Sequence, residues 1–198
     1  MRADARKNRD HLLTVAGAVI TEHGAEASMR DIARRAEVGL ATLLRHFPTR
    51  EALFEALLRT SFDELTARAG ELETSSSPAD ALVSWLRDFV AVAHNYRGVV
   101  ALMMAAIEDT QSALHTSCVT MRAAGTRLLA RAQAEGLART DIDGTDLFAL
   151  AGSLAWLGDQ PSLAPSRVDH LFGVVVSAIL TSAASGDAEG ERRRRAHS

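Results

Sequence analysis

The sequence predicts an all-α protein, and three observations carry that prediction. Alanine, leucine and arginine dominate while β-branched runs stay short, a balance that favours helix over sheet. Only 4 prolines interrupt 198 residues. Apolar residues recur at helical spacing along nearly the whole chain. Nine helices follow. They divide into an N-terminal three-helix unit (residues 1–50), a larger six-helix body (51–184) and a tail (185–198) expected to be disordered.

The first helix runs from about Ala5 to His23, with Leu12, Ala16, Val19 and Ile20 on one stripe and Gly24 as its stop. The second opens at Ser28, whose hydroxyl can cap the amide of Asp31. Asp31 also suits the positive helix end. A turn at Glu37-Val38-Gly39 leads to a short third helix, Leu40 to His46. Thr49 caps a fourth, whose apolar face is Phe54, Leu57, Leu58, Phe62 and Leu65. The stretch Glu73 to Pro78 is the clearest loop. Pro78 then sits at the first position of the fifth helix, which runs to about Arg97 and is broken by Gly98. The sixth covers Val99 to Asp109. The seventh runs from about Ala113 to Glu135, striped by Leu114, Cys118, Met121, Gly125, Leu128 and Ala132, and ends at Gly136. After the turn Asp141 to Gly144, the eighth covers Thr145 to Leu157. The ninth starts at a Ser166 cap and runs to Ala184.

Composition narrows the class. Hydrophobic residues at 47% and charged residues at 24% suit a soluble globular protein and exclude global disorder. The longest apolar stretch, Gly98 to Ile107, is about half the ~20 residues a bilayer requires. The first residues, Met1 to Lys7, lack the apolar run of a secretory signal. The single cysteine, Cys118, forms no intrachain disulfide. A cytoplasmic protein without membrane partners is expected. Residues 1–50 carry nine Lys/Arg and six Asp/Glu, a net of +3, whereas residues 51–198 carry a net of −6. A basic module on an acidic body suits a polyanion at one end only.

Two short helices joined by a tight turn, Ser28 to His46, have the layout of a DNA-reading helix-turn-helix. Ile32, Ala33, Ala36, Val38, Leu43 and Phe47 form its expected core, with Ala33 and Ala36 small enough for close approach. Leu40, Ala41, Thr42, Leu44, Arg45 and His46 remain on or near the free face, which carries no carboxylate. A helix hairpin with no DNA role would share this core.

The stretch from Ser28 through Leu53, SMRDIARRAEVGLATLLRHFPTREAL, resembles the N-terminal module of the tetracycline-repressor (TetR) family. The resemblance implies three helices for DNA and six for ligand and dimer. It implies that Thr42 and Arg45 approach bases, that His46 and Arg50 meet phosphates, and that Ser28, Met29 and Arg30 face the DNA backbone. Arg34 and Arg35 are read as simply solvated, and a ring packed beneath Phe47 is the alternative for His46. Two positions depart from the family. A tyrosine whose hydroxyl meets phosphate is replaced by Leu44, and the turn glycine by Glu37. Leu40 is read either as a thymine-methyl contact or as a tolerated exposed leucine.

In the body, Trp85, Phe89, His94, Met103, Met104, Ile107, Cys118, Met121 and Leu128 are candidate lining for an apolar small-molecule pocket, since methionine adapts to varied ligands. Plain core is the alternative for each. His94, Asn95, Glu108 and Arg122 are polar candidates to orient a ligand. The eighth and ninth helices are expected to make a homodimer through Phe148, Ala151, Gly152, Ala155 and Trp156 and through Phe172, Val175, Val176 and Ile179. A two-fold protein in turn predicts a palindromic double-stranded operator. The resemblance implies a repressor, here one released by an apolar effector, with no cofactor, no metal and no catalytic residue expected. Three rivals remain: an enzyme using His115 and Cys118, a metal or redox sensor using His94, His115 or Cys118, and a helical module that has lost DNA binding. The Arg192 to Arg195 run reads as a solvated tail or a non-specific DNA contact.

Overall fold

The computed structural model describes residues 2–74, 77–96, 98–158, 160 and 162–181. The described residues form ten α-helices: α1 (Arg2–His23), α2 (Met29–Arg35), α3 (Leu40–His46), α4 (Arg50–Leu72), α5 (Pro78–Asn95), α6 (Val99–Leu102), α7 (Met104–Glu108), α8 (Ala113–Ala134), α9 (Gly144–Gly158) and α10 (Pro165–Ile179). A 3-10 turn, Gly24–Glu26, follows α1. The all-α expectation holds.

The side-chain caps form where hydroxyls precede helices. The Ser28, Thr49 and Ser77 hydroxyls accept the amides of Asp31, Ala52 and Asp80 at 3.1, 3.1 and 3.3 Å. Each satisfies one amide that the first turn leaves without a helical partner.

Three boundaries differ from expectation. The single helix expected over Val99 to Asp109 is two, because Met103 sits at φ −97°, ψ 5° and its amide is shared between the carbonyls of Val99 and Val100. That break turns Met103 into the core, leaves Leu102 exposed and sets Met104 on the wall of the large cavity. The last helix begins two residues earlier than a Ser166 cap allows, with Ala164 as cap residue and Pro165 at the first position. It also ends at Ile179, short of Ala184. There the backbone finds partners across the α8–α9 connection: Leu180 bridges Ala138, the Thr181 amide donates to Leu137 and the Arg139 amide to Ile179. Residues 182–184 and the tail, including Arg192 to Arg195, lie outside the described residues.

α4 is the spine. It packs on α1 at its start and on α5 and α8 along its length. Trp85 of α5 is fully buried against it and donates its indole N–H to the Leu65 carbonyl at 2.8 Å. α8 closes over the same indole through Gly125, where a Cβ would stand 2.5 Å from the Trp85 ring. Glycine at this position is a packing requirement rather than a hinge. At the far end of α4, Arg131 donates to the Leu72 carbonyl at 3.3 Å and Arg127 pairs with Glu73 at 2.7 Å. Both cations meet the negative end of the helix.

Candidate functional site

The N-terminal unit is built on a small shared core. Leu12, Ala16 and Ile20 of α1, Ile32 and Ala33 of α2, Leu43 of α3 and Phe47 are all buried. α2 ends in a Schellman arrangement: the Val38 amide donates to the Ala33 carbonyl at 3.0 Å and the Glu37 amide to Arg34 at 3.2 Å. That geometry needs a left-handed residue between them, and Glu37 supplies it at φ 55°. It is the only non-glycine at positive φ among the described residues. The turn therefore keeps the form that glycine would favour, at a strain on the order of 1 kcal/mol.

With α2 and α3 fixed, Ala41, Leu44 and Arg45 are exposed and Thr42 is half-buried. Arg45 donates to the Thr42 hydroxyl at 3.0 Å, so the two residues present one linked polar group. Leu40 and Met29 are partly buried and pack on the core, which accounts for an apolar residue at each place. Ser28 and Arg30 are exposed at the start of α2. His46 is half-buried, its ring tilted against Phe47 at 6.4 Å. Arg34 and Arg35 are turned to neighbours: Arg34 to Asp31 at 2.9 Å, Arg35 to Glu22 of α1 at 2.6 Å. The Arg34 guanidinium and the Ser28 hydroxyl hold the Asp31 carboxyl below its ordinary range.

Arg50 opens α4 with its guanidinium over the Phe54 ring, 5.0 Å from the centroid. Its Nε and Nη2 are shielded and have no hydrogen-bond partner. A partly desolvated, unpaired cation beside α3 is an electrostatic feature suited to an anion. Sequence reasoning missed Arg9. It lies over the Phe47 ring at 5.1 Å, bringing an α1 cation to the end of α3. The cluster Arg2, Arg6, Lys7 and Arg9 was the available signal.

The body contains a cavity of about 630 Å³ between α4, α5, the α6–α7 pair, α8 and α9. Phe89, Met104, Ile107, Cys118 and Met121 line it. Trp85, Met103 and Leu128 do not: each is buried in the core, Trp85 with its indole nitrogen satisfied. His94 faces a separate groove of about 270 Å³ between α5, α9 and the start of α10. Leu58 and Phe62 of α4 and Phe148 of α9 also line the large cavity. The sequence places the apolar face of α4 against both the small unit and the floor of a pocket, while it marks Phe148 only as interface. Phe148 stacks edge-on against Phe89 at 5.3 Å and Trp85 at 5.8 Å, making an aromatic wall. Of the polar candidates, Arg122 reaches the cavity, while Asn95 and Glu108 do not line it.

His115 Nδ1 is 2.8 Å from the Ile107 carbonyl, so this imidazole ties α7 to α8 instead of pairing with Cys118. Burial pushes the Cys118 thiol above its ordinary range, partly opposed by Arg122. A thiol so placed is a poor nucleophile. Among the described residues no three His, Cys, Asp or Glu side chains gather as a metal would need. No helix among them is long and apolar enough to cross a membrane.

On the surface of α9 and α10, Leu150 and Val174 are exposed, while Trp156 and Gly152, expected at the dimer face, line the cavity, with Trp156 exposed to 63%. Gly152 and Gly173 have open space beside them. Ala151, Ala155, Phe172 and Ile179, expected at this face, are instead buried within the chain, and Val175 and Val176 are half-buried. The helical stripe was read correctly as apolar, but its most regular members face α5 and the core.

Comparison with known proteins matches both halves. Residues 12–57 match the model for bacterial regulatory proteins of the tetR family, and residues 77–179 that for the C-terminal domain of SbtR-like transcriptional regulators. A TetR transcriptional regulator from Streptomyces coelicolor is 33% identical, with a TM-score of 0.71 over 88% of this chain and 99% of that one. A TetR regulatory protein from Mycobacterium vanbaalenii is 29% identical, with a TM-score of 0.66 over 91% and 99%. The transcriptional repressor KstR2 of Mycolicibacterium smegmatis is 34% identical over 95 residues, 46% of each chain, so the match spans about half the length of the curated relatives. The chain belongs to the TetR family of bacterial transcriptional regulators.

Proposed function

We propose that this protein is a dimeric repressor that holds a palindromic operator through residues 1–50 and lets go when an apolar effector fills the cavity of residues 51–184. The observation that carries this is the double duty of α4. Leu53, Phe54 and Leu57 join the buried core that reaches α1, and Leu58 and Phe62, one turn on, line the cavity. A ligand pressing on Phe62 or Leu58 therefore acts on the helix that carries the DNA module. A second contact runs in parallel. Gly98 lines the cavity, and a Cβ on it would stand 3.1 Å from that of Ala25, just after α1. A ligand shifts such an equilibrium only by its differential affinity for the two arrangements. Because the two recognition helices must match the DNA repeat, a displacement of a few ångströms misplaces one of them.

Thr42 and Arg45 are assigned to bases, and His46, Arg50 and the start of α2 to phosphates. Leu44 replaces a hydroxyl donor with an apolar contact. The second copy docks on the outer face of α9 and α10. The protein works in the cytoplasm, where DNA and small metabolites meet. Genomic footprinting with purified protein supplies an operator, and gel shifts then test the reading. Arg45→Ala and Thr42→Ala should abolish specific binding with the fold intact. Arg50→Ala should weaken binding on all sequences alike and lower the salt slope by roughly one charge. Unchanged affinity in all three would overturn the assignment. So would cavity ligands that stabilise the protein yet leave operator affinity untouched.

A further inference from the structure

The cavity wall carries one charge. Among its described lining residues Arg122 is the only charged side chain, and no carboxylate joins it. Arg122 lies over the Phe148 ring, 5.2 Å from the centroid, on the aromatic wall formed with Phe89 and Trp85. Among the described residues it has no ion-pair or hydrogen-bond partner, unlike Arg68, Arg127 and Arg139 elsewhere on the body. The acidic groups at the start of α9, Asp143 just before it and Asp146 in its first turn, accept backbone amides. Asp143 Oδ1 accepts the amides of Thr145 and Asp146 at 2.6 and 3.1 Å, and Asp146 Oδ2 accepts the Asp143 amide at 3.1 Å.

We propose that the effector is an amphipathic anion, its carboxylate or similar acidic group held by Arg122 at the α8–α9 corner and its apolar body laid against Phe89, Met104, Ile107 and Met121. The inference rests on the reading of this cavity as the effector site. An uncharged ligand would leave the guanidinium stacked and solvated, gaining nothing from it. A cation would meet it with repulsion. An anion gains a charge-assisted hydrogen bond whose donor is already held by the aromatic face, so little side-chain freedom is lost on binding. The body carries a net charge of −6 over residues 51–198, so its general field does not draw anions. Selection must come from the local contact, and Arg122 is where it is available.

The test uses decanoate, decanol and decyltrimethylammonium with the full-length protein, reading affinity by calorimetry and operator binding by gel shift. Wild type should prefer decanoate over decanol by on the order of tenfold, with the cation weakest, as one charge-assisted hydrogen bond from the exposed Arg122 guanidinium provides. The preference should shrink with salt. Arg122→Gln should bind decanol as before and lose the decanoate preference, and Arg122→Lys should restore part of it. Failure of wild type to bind decanoate, equal binding of acid and alcohol, or a preference that survives Arg122→Gln overturns the proposal. The gel shift separates the two readings. Decanol and decanoate binding alike and both releasing DNA would leave the regulator standing without the anion preference. Decanoate held through Arg122 without DNA release would leave the ligand class standing without the regulator.

Discussion

Replacing Glu37 by glycine should stabilise the DNA-reading module. Glu37 sits at φ 55° because the α2 ending needs its left-handed conformation to place the Val38 and Glu37 amides on Ala33 and Arg34. A Cβ in that region costs about 1–2 kcal/mol. Glycine removes this but adds freedom to the unfolded chain, which returns about 0.4–1 kcal/mol. The net gain is about 0.5–1 kcal/mol, or roughly 1–4 °C in Tm for a chain of this size. Thermal and urea unfolding measure it, and amide exchange of residues 32–43 localises it. Glu37→Ala is the control, since it removes the carboxylate but keeps the Cβ and should gain little. Gly39→Ala is a second control. Gly39 has ordinary extended backbone, φ −67° and ψ 146°, and nothing lies within 4 Å of an added Cβ. It should therefore gain about 0.4–1 kcal/mol by restricting the unfolded state alone. If Glu37→Ala stabilises as much as Glu37→Gly, charge and not backbone strain is the cause. If Glu37→Gly destabilises, the strain argument fails.

Other expectations follow from single contacts. Gly125→Ala forces a Cβ into the Trp85 ring at 2.5 Å and should cost about 2–3 kcal/mol, lowering Tm by roughly 5–10 °C; an unchanged Tm would mean α8 can move off α5 freely. Val174→Arg should split the dimer in sedimentation, because it puts an unpaired charge at the exposed α10 face; a monomeric wild type, or a dimeric variant, counts against the α9–α10 interface. Asp143 accepts two α9 amides and is held below its ordinary value of 3.8. Its stabilising contribution is therefore full above about pH 4 and lost as pH falls through the lower folded value. The stability gap between wild type and Asp143→Asn should close below that pH, and a gap constant from pH 7 to 3 would refute the linkage.

What the sequence made legible follows from which signals are local. Caps at Ser28, Thr49 and Ser77 depend on residues three apart, and all three formed. The left-handed Glu37 was foreseeable because the turn's backbone needs are independent of what surrounds it. Features that depend on tertiary placement were harder to read. Trp85, Met103 and Leu128 share the apolar character of Phe89, Met104 and Met121, yet core and cavity wall differ only in what stands opposite. His94 was assigned to the same pocket and faces another groove. Likewise α9 and α10 each carry apolar residues around more than one face. Periodicity could not tell the face against α5 from the face left exposed. The break at Met103 left no residue signature, since neither Gly nor Pro marks it.

The division between a recognisable N-terminal pattern and an illegible pocket has a physical origin. The DNA module must hold α2 and α3 at one angle, and only a few small and apolar residues at set spacing achieve that, so the constraint is written locally. The cavity must only remain unfilled while five structural elements enclose it. Many apolar sets satisfy that condition, and the residues that matter to a ligand are the exceptions to it. Arg122 is such an exception: a long cation on an apolar wall, kept out of ion pairs and laid on an aromatic face. Phe62 is the complementary case, an ordinary core residue by type that becomes consequential because its helix also carries Leu53 and Phe54, which join the core that reaches α1. On the proposed reading, specificity would reside in the residue that breaks the pattern and transmission in one that conforms to it. Variants at the two should separate, Arg122 changing which ligands bind and Phe62 changing what binding does to the operator.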